Sequence, residues 1–213
     1  DRPGFPTVPV AWFKFDAALS EVPADQVFDG PDAPVMLLDV DPDSPDLGGT
    51  VPVVVERLTP DDYVPEHVLA VAPRPGFVLR AENTYAVVIR TGLQDRDGHP
   101  LGVPAAFAAL AEGGGDGPLA ALYAPLWPAL DAAGVPRAEV AVATVFTTGD
   151  VVAGLYALTE LIRRDFDADI NSLQRRPDLD EARFCVLRGL MEVAQFQAGE
   201  APFDTLLPGA PII

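Results

Sequence analysis

The run Thr84-Tyr-Ala-Val-Val-Ile-Arg-Thr91 decides the fold of this chain. β-Branched and aromatic residues fit the pleated, half-buried surface of a sheet, so the run predicts a strand. The segment Ala141-Val-Ala-Thr-Val-Phe-Thr-Thr148 has the same character and predicts a second central strand. We expect these two strands to supply the hydrophobic core. The residues predicted to lie in that core are Tyr85, Val87, Ile89, Val142, Val145 and Phe146.

Shorter apolar runs with strand-forming character surround these two segments. Proline makes up 23 of the 213 residues, about twice its usual share of ~5%, and falls mostly between the runs. Short strands separated by Pro, Gly and Asp turns are typical of a β-sandwich. In such a fold the Tyr85 hydroxyl, near the start of its strand, is placed to bond the backbone as in a tyrosine corner. Further strands are predicted over residues 8–15, 34–40, 51–57 and 67–71, and the second central strand is predicted to span residues 139–147.

Two helical segments interrupt the predicted strands, over residues 104–112 and 118–133. The first is rich in alanine and ends in a run of three glycines. The second has apolar residues at i, i+3 and i+4, which is the spacing of one helix face. Pro125 and Pro128 lie inside this second segment, and we expect them to break or kink it because proline cannot donate a helical hydrogen bond.

The composition changes after residue 148. Asp150 is predicted as the N-cap of a helix over residues 151–164, and a polar stretch follows. Residues 182–196 are predicted to form a long strand or a bent hairpin arm. Cys185 is the only cysteine, so no intrachain disulfide can form, and we expect it to be a buried small hydrophobe. The predicted domains are a β-sandwich over residues 1–148 with a helical insertion near 104–133, and a connector of helix, strand and loop over residues 149–213.

The charge of the chain excludes several classes of partner. Its 14 Lys and Arg residues against 32 Asp and Glu give a formal charge of −18. A surface this acidic repels nucleic-acid backbones and anionic membrane surfaces. No apolar run approaches the ~20 residues needed to span a bilayer. We therefore expect neither nucleic-acid binding nor membrane insertion.

Residues of the kinds that carry catalysis or ligand binding are scarce. The serines are Ser20, Ser44 and Ser172, and the histidines are His67 and His99. No Gly-x-Ser-x-Gly elbow surrounds any of these serines, and neither histidine has a nucleophile at a suggestive spacing. The sequence therefore predicts no catalytic residue and no hydrolytic activity for the isolated chain. The aromatic residues expected in the core, rather than on a ligand-binding surface, are Trp12, Phe13, Phe15 and Trp127.

An acidic loop after the predicted strand 34–40 is the one candidate cofactor site. Asp39, Asp41 and Asp43 alternate along it, and alternating carboxylates can wrap calcium with oxygen ligands. The loop departs from an EF-hand because Pro42 and Pro45 interrupt it and no Glu stands at the twelfth position. Two interpretations stay open, a calcium site formed by these three residues and a solvated loop between strands.

Two stretches of the chain resemble known families. Bacterial Ig-like surface domains contain a motif that the chain resembles over Leu79-Arg-Ala-Glu-Asn-Thr-Tyr-Ala-Val-Val-Ile-Arg-Thr-Gly-Leu-Gln-Asp-Arg-Asp-Gly-His-Pro-Leu101. More narrowly, the chain resembles the N-terminal region of secreted bacterial α/β-hydrolases of the virulence-factor lipase type. This narrower resemblance rests on Ala143-Thr-Val-Phe-Thr-Thr148, followed by a predicted helix, and on Gln195-Phe-Gln-Ala-Gly-Glu-Ala-Pro-Phe203.

The resemblance implies a mainly β fold with α insertions, in which an Ig-like β-sandwich is followed by a helix and strand connector. In that family the hydrolase domain holds the Ser-His-Asp machinery, and no catalytic residue is carried over to this chain. The implied function is a non-catalytic accessory region of a secreted or cell-surface bacterial hydrolase, lipase- or esterase-like. It would shield or orient the α/β-hydrolase domain of the same parent chain, or of a separate chain after cleavage. The alternative is a stand-alone extracellular binding or surface-structural Ig-like module, stabilised by calcium if the acidic loop binds it.

Overall fold

The chain folds into two units, Asp1–Asp150 and Val151–Ile213. It is mainly β with short α insertions, which confirms the fold class predicted from the sequence. The computed structural model describes residues 4–23, 25–113, 117–166 and 169–192, and the backbone alone at residues 197–198 and 205–206. Within these residues, no helix is both long enough and apolar enough to cross a membrane.

The described strands of the first unit form two four-stranded sheets. Every pair of neighbouring strands within these sheets runs antiparallel. Six of the eight contain four or more residues, and each of these six corresponds to a strand predicted from the apolar runs. The predicted strand 51–57 is divided between two strands of the structure. The strands are β1 Ala11–Lys14, β2 Val27–Phe28, β3 Val35–Asp39, β4 Thr50–Val51, β5 Val53–Arg57, β6 Val68–Pro73, β7 Thr84–Arg90 and β8 Val140–Thr147.

The strand order is that of an immunoglobulin-like sandwich. One sheet has the order β1-β6-β5-β2 and the other β4-β3-β7-β8. In the letters used for Ig domains, β1, β6 and β5 occupy the positions of strands B, E and D. β4, β3, β7 and β8 occupy those of C′, C, F and G, and β2 is a short addition beside β5. Before β1, Phe5 lies alongside the end of β8 in a parallel bridge to Thr148, where an A′ strand would run.

The two sheets share one continuous apolar core. The register places Val87 opposite Leu37 on β3 and opposite Thr144 on β8, so these side chains turn to the same face. Val53 and Val71 of the other sheet belong to the same cluster of buried side chains. The core prediction is confirmed, with Val142 half-buried and packed against the cluster. The predicted core residues that are fully buried are Tyr85, Val87, Ile89, Val145 and Phe146.

The central strands β3 and β7 are buried on both faces. Every residue of β3 is buried, and so are residues 85–89 of β7. Strands covered on both sides carry near-continuous apolar runs, as these two do. One face meets the other sheet, and the insertion between β7 and β8 supplies Phe107, Leu126 and Leu130 to the same core cluster.

The insertion consists of short helices. They are α1 Ala105–Ala111, α2 Pro118–Tyr123 and α3 Leu126–Ala132. The second predicted helix is broken between α2 and α3, at Ala124 and Pro125, which confirms the break expected at Pro125. Pro128 lies within the first turn of α3 and does not interrupt it. The Tyr123 hydroxyl donates to the Ala143 carbonyl at 2.8 Å and so fixes the insertion to the edge of β8.

Tyr85 forms the predicted tyrosine corner. Its hydroxyl oxygen accepts a hydrogen bond from the Arg80 N–H at 3.1 Å, and its ring stacks on Phe146 with centroids 6.2 Å apart. Burial raises the pKa of the Tyr85 hydroxyl, so the group is neutral. The bond satisfies a polar atom at the edge of the core and joins the start of β7 to the turn before it.

The described residues of the second unit form one α-helix and two hairpins. β9 and β10 pair antiparallel with a bulge between Arg188 and Leu190, so part of the predicted hairpin arm at 182–196 does form an arm. β9 was not predicted, because its sequence Ile-Asn-Ser-Leu-Gln-Arg is largely polar. The elements are α4 Ala153–Asp165, β9 Ile170–Arg175, β10 Leu187–Met191, β11 Gln197–Ala198 and β12 Thr205–Leu206.

Two predictions for this unit are wrong. α4 begins at Ala153 with Val152 in the N-cap position, so Asp150 is not the N-cap. A turn at residues 151–152 precedes the helix, so the N-cap position falls two residues after Asp150. Cys185 is exposed rather than buried, because it lies in the connection leading to β10, a strand whose residues are all exposed. Residues 193–196 and 199–204, which carry most of the Gln195-to-Phe203 motif, lie outside the described residues.

Candidate functional site

The acidic loop after β3 holds its shape through its own carboxylates. Asp39 is only 4% exposed, and its two oxygens accept from the Asp41 N–H at 3.1 Å and the Ser44 hydroxyl at 2.7 Å. One Asp41 oxygen accepts from the Asp43 N–H at 3.0 Å, and the other accepts from the N–H of Thr84, the first residue of β7, at 3.0 Å. The loop therefore anchors the start of a central strand and satisfies a buried carboxylate.

Calcium binding by Asp39, Asp41 and Asp43 stays a prediction. The structure does not bring one oxygen from each of these three residues within 4.8 Å of one another. The oxygens of Asp39 and Asp41 already accept hydrogen bonds from N–H groups and from the Ser44 hydroxyl, while Asp43 is exposed. A bound cation would have to share these oxygens with the N–H groups that they now accept from.

Asp95, Asp97 and His99 do bring three ligand atoms within 4.8 Å, alone among sets of three in the described part of the chain. Asp95 accepts from the N–H groups of Asp97 at 2.9 Å and His99 at 2.8 Å, and its second oxygen lies 3.2 Å from His99 Nδ1. The His99 N–H bond is the main cause that lowers the pKa of the Asp95 carboxyl. The alternation Asp-x-Asp-x-His is the sequence pattern that could have pointed to this cluster. The hydrogen bonds close a turn, and this turn accounts for the short distances between the three side chains.

The candidate nucleophiles and bases lie apart. The Ser44 hydroxyl donates to Asp39, and Ser172 lies on β9 with a φ of 57°. His67 directly precedes β6 with a φ of 63°, and its Nε2 lies 3.9 Å from the Glu66 carboxylate. Among the described residues, no serine hydroxyl or cysteine thiol hydrogen-bonds to a histidine, so no activated nucleophile of that kind is formed there.

The β9–β10 hairpin exposes apolar side chains on one face. All residues of both strands are exposed. The extra residue of the bulge lies on β9, so β10 alternates regularly and Leu187, Gly189 and Met191 share one face. A Cβ at Gly189 would meet the Ile170 and Leu173 side chains, which places these two residues on the same face. Ile170, Leu173, Leu187 and Met191, here called the leucine face, are 58, 57, 54 and 54% exposed in that order. Contiguous apolar surface of this kind marks interaction sites.

The aromatic residues of the first unit meet the prediction with one exception. Phe13 is buried, and Phe15 and Trp127 pack against the core. Trp12 is 66% exposed, so its predicted place in the core is wrong. Successive side chains of a strand turn to opposite faces, and Phe13 occupies the inner one. The outer face of β1 is therefore the one that carries Trp12.

Comparisons of the chain with models of known families, with curated proteins and with solved structures find no match. The class of this protein is therefore defined by its fold. It is an Ig-like β-sandwich with a helical insertion, followed by a unit that bears an exposed apolar hairpin.

Proposed function

We propose that this chain is a non-catalytic accessory region of a secreted or cell-surface bacterial α/β-hydrolase, lipase- or esterase-like. Its second unit docks the hydrolase domain, and its sandwich holds that domain in a fixed orientation or shields the entrance to its site. The resemblance of Ala143-Thr-Val-Phe-Thr-Thr148 and its surroundings to such regions supports the identity of the partner. The leucine face is the observation that carries the docking.

A partner that covers the leucine face would stabilise the β9–β10 hairpin. A single two-stranded hairpin is marginally stable at best in water, and among the described strands β9 and β10 pair only with each other. Covering an exposed leucine stabilises by roughly 1.5–3 kcal/mol. The four apolar side chains of the leucine face, each a little more than half exposed, therefore contribute several kcal/mol to an association that buries the face.

The first unit supplies the frame for this docking. It buries its own core, and it carries 22 acidic against 8 basic residues within positions 1–150. This acidic surface repels anionic surfaces over a distance of about one Debye length, roughly 8 Å at physiological salt. An acidic frame of this kind suits an orienting or shielding role rather than binding to a nucleic acid.

The coding DNA that follows the codon of Ile213 tests the partner. An in-frame Gly-x-Ser-x-Gly, followed by the Asp and His of a hydrolase triad, supports the proposal. A stop codon with no hydrolase domain before it contradicts the proposal and leaves a stand-alone module as the better interpretation.

Binding between this chain and the separately produced hydrolase domain tests the surface. Calorimetry should show that the double variant Leu173→Ser, Leu187→Ser binds at least about tenfold more weakly than the unchanged chain. Leu119→Ser is the matched control, because Leu119 is 55% exposed on α2 of the first unit and should bind normally. Equal binding by all three chains would show that docking does not use the leucine face.

A further inference from the structure

Strand β1 forms an open edge of its sheet. It is the terminal strand in the order β1-β6-β5-β2, and its Phe15 end is fixed by an N–H bond to the His67 carbonyl at 3.0 Å. Hydrogen-bonded residues alternate along an antiparallel pair, so Trp12 and Lys14 turn their N–H and C=O groups away from β6. Within the described residues, no backbone group bonds to them on that side.

Two clefts flank this edge, one toward each end of β1. The first has a volume of about 150 Å³ and is lined by residues 9–12 together with core residues such as Val71. The second has a volume of about 440 Å³ and is lined by Phe13, Phe15 and Leu101 among others. A dry cavity of ~150 Å³ holds a single aromatic ring, so the first cleft accepts one side chain of that size or smaller.

The spacing of the clefts matches that of an extended chain. Their positions along β1, near Ala11 and near Phe15, are four residues apart, which is roughly 13 Å in a strand. An added strand turns alternate side chains to the same face, so its residues i and i+4 reach the two clefts.

We propose that the edge of β1 binds an extended segment of a partner protein as an additional antiparallel strand. The outward N–H and C=O groups of Trp12 and Lys14 bond its backbone, and the two clefts take its apolar side chains four residues apart. This is recognition by strand addition, in which the backbone gives affinity and the pockets give specificity. The exposed ring of Trp12 packs against the outer face of the added strand.

Charge decides which segment fits. Lys14 and Asp16 are exposed on the outer side of the edge, and among the described residues neither side chain has an ion-pair partner. Lys14 is the only lysine of the chain, and a lysine on an edge strand normally prevents pairing. The same charge selects a strand that carries an acidic residue opposite Lys14 and a basic residue opposite Asp16. A second copy of this acidic chain is disfavoured by like-charge repulsion.

A short peptide tests the proposal. The probe is acetyl-Lys-Leu-Glu-Val-Thr-Val-Lys-amide, which in antiparallel register places its first lysine opposite Asp16 and its glutamate opposite Lys14. The full chain carries Trp127→Phe, so that Trp12 is the only tryptophan and reports binding by fluorescence. The control peptide exchanges the glutamate and the first lysine, which leaves its net charge unchanged. We expect saturable binding of the probe and at least about tenfold weaker binding of the control peptide.

Two sets of variants separate this surface from general attraction. The double variant Lys14→Glu, Asp16→Lys keeps the net charge of the chain and should reverse the preference between the two peptides. Lys14→Pro removes an outward N–H and should abolish binding, whereas Lys14→Ala keeps that N–H and should bind within a few-fold of the unchanged chain. If Lys14→Pro lowers the melting temperature, the reversal of peptide preference decides alone.

Three outcomes overturn the proposal. They are equal binding of the two peptides, no change in Trp12 fluorescence up to about 1 mM probe, and a dimer in sedimentation that Lys14→Pro dissociates. The last result would assign the edge to a second copy of this chain.

Discussion

β7 and β9 are strands of similar length in opposite surroundings. β7 lies between β3 and β8 and has five consecutive buried residues, 85–89. Among the described strands β9 pairs only with β10, and all six of its residues are exposed. A strand with neighbours on both sides and a layer on each face gains burial along its whole length. The first unit therefore carries its own core, whereas the hairpin of the second unit leaves its apolar side chains exposed.

The largest expected effect tests this contrast directly. Val87→Asp should unfold the first unit, because an unpaired carboxylate at a site only 3% exposed costs several kcal/mol, on the order of the whole net stability. Leu187→Asp makes the same chemical change on an exposed strand and should leave the melting temperature of the first unit unchanged. Circular dichroism and thermal unfolding of both variants check this.

Either of two results would contradict this contrast between the buried strand β7 and the exposed hairpin. A Val87→Asp chain that melts like the unchanged protein would show that β7 is not central to the core. A large loss of stability in Leu187→Asp would show that the hairpin is already part of a packed structure.

A smaller effect is expected from the tyrosine corner. Tyr85→Phe removes the acceptor of the Arg80 N–H and should lower the free energy of unfolding by about 1 kcal/mol, the usual net value of such a bond. Tyr63→Phe is the matched control, since Tyr63 is 93% exposed, and it should have no measurable effect. Chemical denaturation of the two variants measures the difference. Equal stabilities would mean that the corner bond contributes nothing beyond the buried ring.

The next prediction concerns calcium binding by the acidic loop of the first unit. A site with a dissociation constant of ~0.1–1 mM should stabilise that unit by about 0.4–1.4 kcal/mol at ~1 mM calcium. Magnesium at equal ionic strength should stabilise less, because it requires near-ideal octahedral geometry. The variant is Asp43→Asn, since Asp41 also holds the Thr84 N–H. Equal shifts with the two ions, or an unchanged calcium shift in the variant, would indicate general screening instead.

The smallest effect concerns Asp95. Its folded-state pKa is lowered, chiefly by the His99 N–H, so its carboxylate stabilises the fold above the unfolded pKa of about 3.9. That contribution is lost as the pH falls through the folded pKa. Asp95→Asn should therefore be less stable than the unchanged chain at pH 7, with the gap narrowing as the pH falls below the unfolded pKa. Denaturant unfolding at pH 7 and at a series of lower pH values checks this, and Asp97→Asn is the matched control. A gap that persists at low pH would exclude carboxylate ionisation as its cause.

The strands of the first unit could be predicted because their residues alone favour strands and proline separates them. β2 has two residues and offers no pattern, and β9 is polar, so neither gave a usable signal. The alternating carboxylates of the acidic loop were visible in the sequence. Their bonds to Ser44 and Thr84 were not, because those partners become neighbours only when the loop closes on β7.

The sequence by itself determined the mainly β class, the two central strands, the break at Pro125 and the bond of the Tyr85 hydroxyl. Each of these depends on local residue preference or on a spacing of a few residues. Only the tertiary structure decided that Trp12 and Cys185 are exposed and that the leucine face is uncovered. A pattern fixes how side chains alternate along a strand, whereas burial requires a second layer that is built from distant parts of the chain.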